Sequence, residues 1–357
     1  MLFVKARHPT PSLFLTLRRR LATHANTPKF TIPVIDFSSF RKATSPAEKR
    51  ATADRIVGAF KESGFIYLSG HGIPKSVIKG AFDHSAKFFQ LPVETKDTLA
   101  WESPRSNRGY VRIGRERVTQ SADAAEIAKM RESAPDYKES MEIGREADAE
   151  WKNMWPKESE APEFRGTMLG FFQTCHELQA QVMRSIALGL DLEETFFDNK
   201  VDQQCHNLRL LSYPSVKRSL LNAEGTGRAG AHSDYGTLTL LFQDQVGGLE
   251  VQNPHTKVYH PATPIPDTIV INVGDLLSRW SNDVLRSTLH RVVSPPPTPS
   301  DPDTVPGRQS IAFFSNPNFD AEIACLPTCK GTEGEKYEVV TTEEYIVGRL
   351  RMTYDSK

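Results

Sequence analysis

The chain has 357 residues, enough for one large domain or two smaller ones. With 38% hydrophobic and 25% charged residues it has the material for a substantial core and a soluble surface. Lys+Arg and Asp+Glu are each 44, no basic stripe with interleaved aromatics occurs, and no run of 18 uncharged apolar residues exists, which argues against nucleic acid and membrane as partners.

From Met1 to Ile35 there is no acidic residue, while Lys5, Arg7, Arg18, Arg19, Arg20 and Lys29 are basic. This composition suits a mitochondrial presequence, the alternative being a disordered cytosolic tail. Residues 1–30 are therefore set apart as a leader. "IPVIDFSSF" opens the folded part as a short strand. Ser45 then reads as a helix N-cap, with Pro46 at the first helical position, Glu48 as its capping-box carboxylate and Gly64 as the stop. "FIYLSG" is a strand, and a helix pair spans Ile73 to Phe89, closed off by Pro92. The polar region from Trp101 to Pro156 contains "SNRGYVRIGRERVTQ", read as strand and loop. Phe164 to Leu192 is a long amphipathic helix with Phe171, Cys175, Leu178, Val182 and Ile186 on one face.

After Asp202 the texture changes to short apolar runs punctuated by Gly, Pro and Asn: "LRLLSYP", "GTLTLLFQD", "GGLEVQNP", "TIVINVGD", "LRSTLHRVV" and "RQSIAFFSNP". Such spacing predicts an all-β sandwich or barrel. "SPPPTPSDPDTVPG" is an exposed loop, and "TTEEYIVGRLRMTY" is a closing helix capped by Thr341 or Thr342. The organisation is thus a leader (1–30), an α/β region with supporting helices (31–200) and a β core with its C-terminal helix (201–357), the last two forming one integrated catalytic domain. Cys175, Cys205, Cys325 and Cys329 lack metal or redox spacing and are read as reduced thiols.

Chemistry concentrates in the β half. In a strand, residues i and i+2 share a face, so His232 and Asp234 of "AGAHSDYG" can aim at one point while Ser233 turns away. His255 and His260 sit in "NPHTKVYHP", a hairpin tip or strand edge. His290, inside an alternating strand, is the better third ligand. Two His and one carboxylate suit non-haem Fe(II) with open positions, and also a zinc hydrolase. Arg308 and Ser310, again i and i+2, place a guanidinium fork beside a hydroxyl on an apolar strand, which suits a carboxylate such as the distal one of 2-oxoglutarate.

"AHSDYGTLTLLFQD", "NVGDLLSRWSNDVLRSTLHRVV" and "GRQSIAFFSNPN", with "IPVIDFSSF" and "GFIYLSGHGIP" upstream, resemble the Fe(II)- and 2-oxoglutarate-dependent dioxygenases of the isopenicillin N synthase-like group, over nearly all of Ile32 to Tyr354. The resemblance implies a mainly β fold with flanking helices around a double-stranded β-helix (distorted jelly roll). It implies His232, Asp234 and His290 as iron ligands and Arg308 and Ser310 as holders of the 2-oxoglutarate C5 carboxylate, with Tyr213 adding a hydroxyl. Dioxygen is the second co-substrate, and ascorbate the expected reductant in vitro. "SNRGYVRIGRERVTQ", "APDYKESMEIGRE", "LRLLSYP", "RAGAHSDYG" and "SIAFFSNPN" further resemble the fungal thymine dioxygenases (thymine hydroxylases). That likeness implies Asn107, Arg209, Tyr235 and Phe314 as the wall of a substrate pocket: an amide for a lactam edge, a guanidinium for a ring carbonyl, aromatics for stacking. The expected reaction is hydroxylation of a small molecule with release of succinate and CO2, and no obligate protein partner is evident. Alternatives are oxidation, desaturation or cyclisation of a fungal secondary metabolite on the same fold, and a non-catalytic small-molecule-binding protein.

Overall fold

Ser45 and Pro46 start the first long helix as their chemistry predicts. In the computed structural model the helix runs Pro46–Glu62, and extended Ser45 accepts a 3.3 Å hydrogen bond from the Glu48 amide. The Glu48 carboxylate reaches one residue further back than a standard capping box, to the Thr44 amide at 2.8 Å. The structure describes residues 30–116, 136–221, 227–297, 302–332 and 334–354. The expected leader, apart from its last residue, lies outside them. Residues 32–357 form one compact unit.

Three expectations need adjusting. "IPVIDFSSF" is extended only over Val34–Asp36; the Asp36 side chain accepts from the Ser38 amide at 2.9 Å and turns the chain into the short helix Ser38–Arg41. The expected helix pair is one helix, Lys75–Phe89, and the next, Val93–Asp97, begins beyond Pro92. The long helix ends at Gly189 rather than Leu192. Its five predicted inward residues are all buried. The final helix, Thr342–Tyr354, has Thr341 as its cap: the Thr341 hydroxyl accepts from the Glu344 amide at 3.2 Å and the Glu344 carboxylate answers the Thr341 amide at 3.0 Å.

The strands are β1 (Val34–Asp36), β2 (Phe65–Ser69), β3 (Gly109–Val111), β4 (Glu139–Gly144), β5 (Asn207–Tyr213), β6 (Val216–Lys217), β7 (Ala229–His232), β8 (Leu238–Gln243), β9 (Leu249–Gln252), β10 (Tyr259–Pro261), β11 (Ile269–Val273), β12 (His290–Val292), β13 (Thr304–Val305), β14 (Arg308–Ser315), β15 (Glu322–Ile323) and β16 (Val340–Thr341). Eight form the major sheet, in the order β1-β2-β11-β8-β14-β5-β4-β3, and four the minor sheet, β10-β9-β12-β7. These are the two halves of a double-stranded β-helix. The Pro-rich segment expected as a loop contains β13, paired with β6.

Alternation along the major sheet decides where the chemistry goes. Leu208, Leu210, Leu240, Phe242, Ile311 and Phe313 point outward and pack under the helices; Phe171 and Phe172 of the long helix meet Phe242 and Phe313 with ring centroids 5.0 and 5.3 Å apart. The opposite face is much more polar. There Arg308 lies opposite Tyr213, Ser310 between Leu211 and Gln243, Ala312 between Arg209 and Leu241, and Phe314 between Asn207 and Thr239. The apolar outer face thus carries the core, and the inner face is left to line a cavity.

Candidate active site

His290 of β12 stands directly opposite His232 of β7, so the antiparallel register alone brings the two imidazoles together, with ring centroids 4.3 Å apart. β7 ends at His232, and Asp234 stands in the loop beyond it. Asp234 Oδ1 lies 3.9 Å from His232 Nε2 and 3.6 Å from His290 Nε2. Ser233, expected to turn away from the point where His232 and Asp234 meet, lines a cavity beside them. The ligand atoms of the three residues all lie within 4.8 Å of one another. His255, in a turn 3.2 Å from Glu62, and His260, on the edge strand, are not in this group. His206 is instead a core residue, its Nε2 3.1 Å from His176 Nδ1.

Each ligand atom is oriented by a partner. His232 Nδ1 is 2.7 Å from the Gly230 carbonyl and His290 Nδ1 is 3.2 Å from that of Thr288. A carbonyl only accepts, so both Nδ1 atoms carry hydrogen and both Nε2 lone pairs face the common point. Burial, followed by the neighbouring His290, pushes the His232 imidazole down to about 3 and keeps it neutral. Asp234 Oδ2 accepts from Thr239 Oγ1 at 2.6 Å and Asn272 Nδ2 at 2.7 Å, which leaves Oδ1 for a metal. Burial works to raise the Asp234 pKa, but the two imidazoles and these two donors outweigh it and hold the carboxyl below its ordinary value. Two imidazole nitrogens and one carboxylate oxygen on one side of a point, with nitrogen and oxygen donors only, fit Fe(II).

The same cavity contains Arg308 and Ser310. Arg308 is 2% exposed. Nη1 donates to Ser310 Oγ at 3.0 Å and Nη2 to Gln243 Oε1 at 3.4 Å, and Nε has no hydrogen-bond partner among the described residues. These partners are neutral, so a buried positive charge faces the cavity with no carboxylate among the described residues to answer it. Tyr213 carries the guanidinium over its ring, 5.0 Å from the centroid. Arg228 lies 5.7 Å from the same ring and is fully buried, and burial together with Arg308 pushes its pKa down to about 10. A dianionic cosubstrate bound between metal and Arg308 would find the charge it needs.

A second cavity of about 580 Å³, mouth included, opens on the other side of His232 and Asp234. Asn107, Arg209, Tyr235 and Phe314 all line it. The Arg209 guanidinium lies over Phe314, 5.3 Å from the centroid. Tyr235 Oη shares a 2.8 Å hydrogen bond with Thr353 of the last helix. Asn107 holds a left-handed backbone, φ 44°, and its Oδ1 accepts from Trp101 Nε1 at 3.1 Å.

Sequence reasoning missed several residues here. Glu116 lines the second cavity and Lys138 the one that contains Arg308. Lys138 Nζ lies 3.0 Å from Glu116 and 2.8 Å from Asp136, while Arg209 lies 3.2 Å from Glu116 and 2.7 Å from Glu142. Thr239, Asn272 and Gln243 also escaped notice. Only the alternation of β8 carried a signal for Thr239 and Gln243, which share a face at i and i+4.

Comparison with known proteins agrees with this geometry. Residues 203–317 match the 2OG-Fe(II) oxygenase superfamily and residues 32–158 the non-haem dioxygenase in morphine synthesis N-terminal family. The chain is 35% identical to the 2-oxoglutarate-dependent dioxygenase frbA of Dothideomycetidae sp., over 91% of its own length and 98% of that protein. It is also 35% identical to the proline hydroxylase buaE of Petromyces alliaceus, over 90% and 98%. Among solved structures, the full-length thymine hydroxylase of Neurospora crassa in complex with 2-oxoglutarate and thymine matches with a TM-score of 0.83 and 46% identity, over 91% of this chain and 98% of that one. The chain belongs to the 2OG-Fe(II) oxygenase superfamily and is an Fe(II)- and 2-oxoglutarate-dependent dioxygenase.

Proposed function

We propose that this dioxygenase hydroxylates thymine or a closely related pyrimidine. In this reading His232, Asp234 and His290 hold the iron, Arg308 and Ser310 with Tyr213 hold the C5 carboxylate of 2-oxoglutarate, and Asn107, Arg209, Tyr235 and Phe314 receive the base. The observation that carries it is the meeting of those last four residues in one cavity that begins at the metal ligands. The 46% identity to the Neurospora crassa enzyme, whose structure contains thymine, supports it.

Iron and 2-oxoglutarate together supply the activation of dioxygen, the cosubstrate leaving as succinate and CO2. The protein supplies position. Asn107 has committed its oxygen to Trp101, so its amide nitrogen is the atom left to donate to a ring carbonyl. Phe314 offers a stacking face already backed by the Arg209 cation. A flat ring held there presents an edge toward Asp234 and His232, the metal side of the cavity.

The test is succinate release by the purified chain with Fe(II), 2-oxoglutarate and ascorbate, with thymine, uracil and free proline compared. Thymine-stimulated turnover with a hydroxylated product is expected. Stimulation by proline and none by pyrimidines would replace this reading with the activity named for buaE.

A further inference from the structure

Among the described residues, Glu116 is the one carboxylate in the substrate cavity besides the metal ligand Asp234. Its side chain is 5% exposed and is fixed from two sides: Oε2 by Lys138 Nζ at 3.0 Å and Oε1 by Arg209 Nη1 at 3.2 Å. Lys138 is held in turn by Asp136 at 2.8 Å, and the other side of Arg209 by Glu142 at 2.7 Å. Such a buried array is expensive to assemble, and apolar packing of the same volume would stabilise the fold at least as well. What apolar packing could not provide is a rigid acceptor at the cavity wall. A carboxylate has about four acceptor sites, so an oxygen that already meets a cation can accept a further N–H.

The cavity therefore presents donors and an acceptor together: the Asn107 amide nitrogen and the Arg209 guanidinium donate, and Glu116 accepts. A ligand that satisfies both kinds must carry carbonyl oxygens and an N–H in one flat ring, as an imide or ureide does. We propose that Glu116 is a specificity-determining residue that accepts a ring N–H of the substrate, so that the cavity takes the free base and rejects the same base alkylated or glycosylated at that nitrogen. The inference rests on the pyrimidine reading above and adds to it which edge of the ring is read and by which residue.

The experiment uses the full chain with Fe(II) and 2-oxoglutarate under anaerobic conditions, and measures binding of thymine, 1-methylthymine, 3-methylthymine and thymidine. Losing a hydrogen bond to a buried charged group weakens binding by roughly ten- to hundredfold. Methylation at one of the two ring nitrogens is therefore expected to weaken wild-type binding by that factor. In Glu116→Gln, thymine is expected to lose about tenfold while that methylated analogue changes by less than about twofold. A simple steric wall would leave the ratio unchanged. Equal binding of thymine and both methylthymines by the wild type overturns the proposal without recourse to any variant. So does a Glu116→Gln variant that loses affinity for all four ligands equally, since that marks Glu116 as scaffold only. If thymine itself neither binds nor stimulates succinate release, it is the pyrimidine reading that fails, a result distinct from both.

Discussion

Replacement of Arg308 by Met separates the two things this residue does. Arg308 is buried beside a second buried guanidinium, that of Arg228, and its partners Ser310 and Gln243 are neutral. Among the described residues no carboxylate forms an ion pair with it. Keeping an ion in such a place costs several kcal/mol, against which Arg308 recovers about 1 kcal/mol per neutral hydrogen bond and about 0.5–2 kcal/mol from the Tyr213 ring. Arg308→Met keeps the volume of the stem, so the ligand-free variant is expected to be as stable as the parent or more stable by about 1–3 kcal/mol. For a domain of this size that is a rise of roughly 1–2 °C per kcal/mol in Tm. Cosubstrate binding goes the other way. Two charge-assisted hydrogen bonds to a carboxylate are worth about 1.5–3 kcal/mol each, so the Kd for 2-oxoglutarate should rise by roughly a hundredfold or more. Thermal melting without metal reads the first effect, and an anaerobic 2-oxoglutarate titration of the iron-loaded protein the second. A variant that melts several degrees lower yet binds 2-oxoglutarate within about threefold of the parent would refute the argument, since Arg308 would then be a structural cation.

Asn272→Ala removes one of the two donors that orient Asp234, and iron affinity measured by metal titration should fall by about 10–100-fold with the fold intact. Phe314→Ala removes the stacking face; a loss of about 1–3 kcal/mol in substrate binding is expected, seen as a higher KM for substrate while the KM for 2-oxoglutarate stays within about twofold. Gly144→Ala would drive a Cβ into the Arg108 guanidinium, and Arg108 donates to the carbonyls of Ser106 and Asn107. Displaced Arg108 should cost about 1–3 kcal/mol of stability and loosen Asn107, so both Tm and substrate KM suffer; an unchanged KM would show that Asn107 is held by its other partners, Trp101, Asn207 and Ser103.

The elements that bury an apolar stripe were legible in the sequence, and those that present polar side chains inward were not. The long helix from Phe164 and the helix from Pro46 were readable because their inward residues are apolar at helical spacing, and the second also carries capping chemistry at its N-terminus. β8, β11 and β14 were readable because their outer faces pack under helices. β4 failed both criteria. In "YKESMEIG" the polar Lys138, Ser140 and Glu142 alternate with Met141 and Ile143, which alone mark the core side, so the segment passes for a charged loop. The burial that makes those charges informative is invisible in the residue letters.

The same distinction explains which parts of the site could be found. His232 with Asp234, and Arg308 with Ser310, are chemically distinctive residues two positions apart, so their purpose shows in one dimension, whereas His290 joins them through the pairing of β12 with β7. Glu116, Lys138, Arg209 and Glu142 acquire meaning only through cross-strand pairing: Arg209 lies opposite Glu142 because β4 and β5 are in that register, and Glu116 reaches them from the chain beyond β3. A carboxylate in a run such as "GRERV" looks like solvated surface, and what converts it into part of a binding wall is the set of cations that the neighbouring strands bring to it. The residues proposed to select the substrate thus have partners distant in sequence, whereas the metal and cosubstrate residues, His290 excepted, each have a partner two positions away.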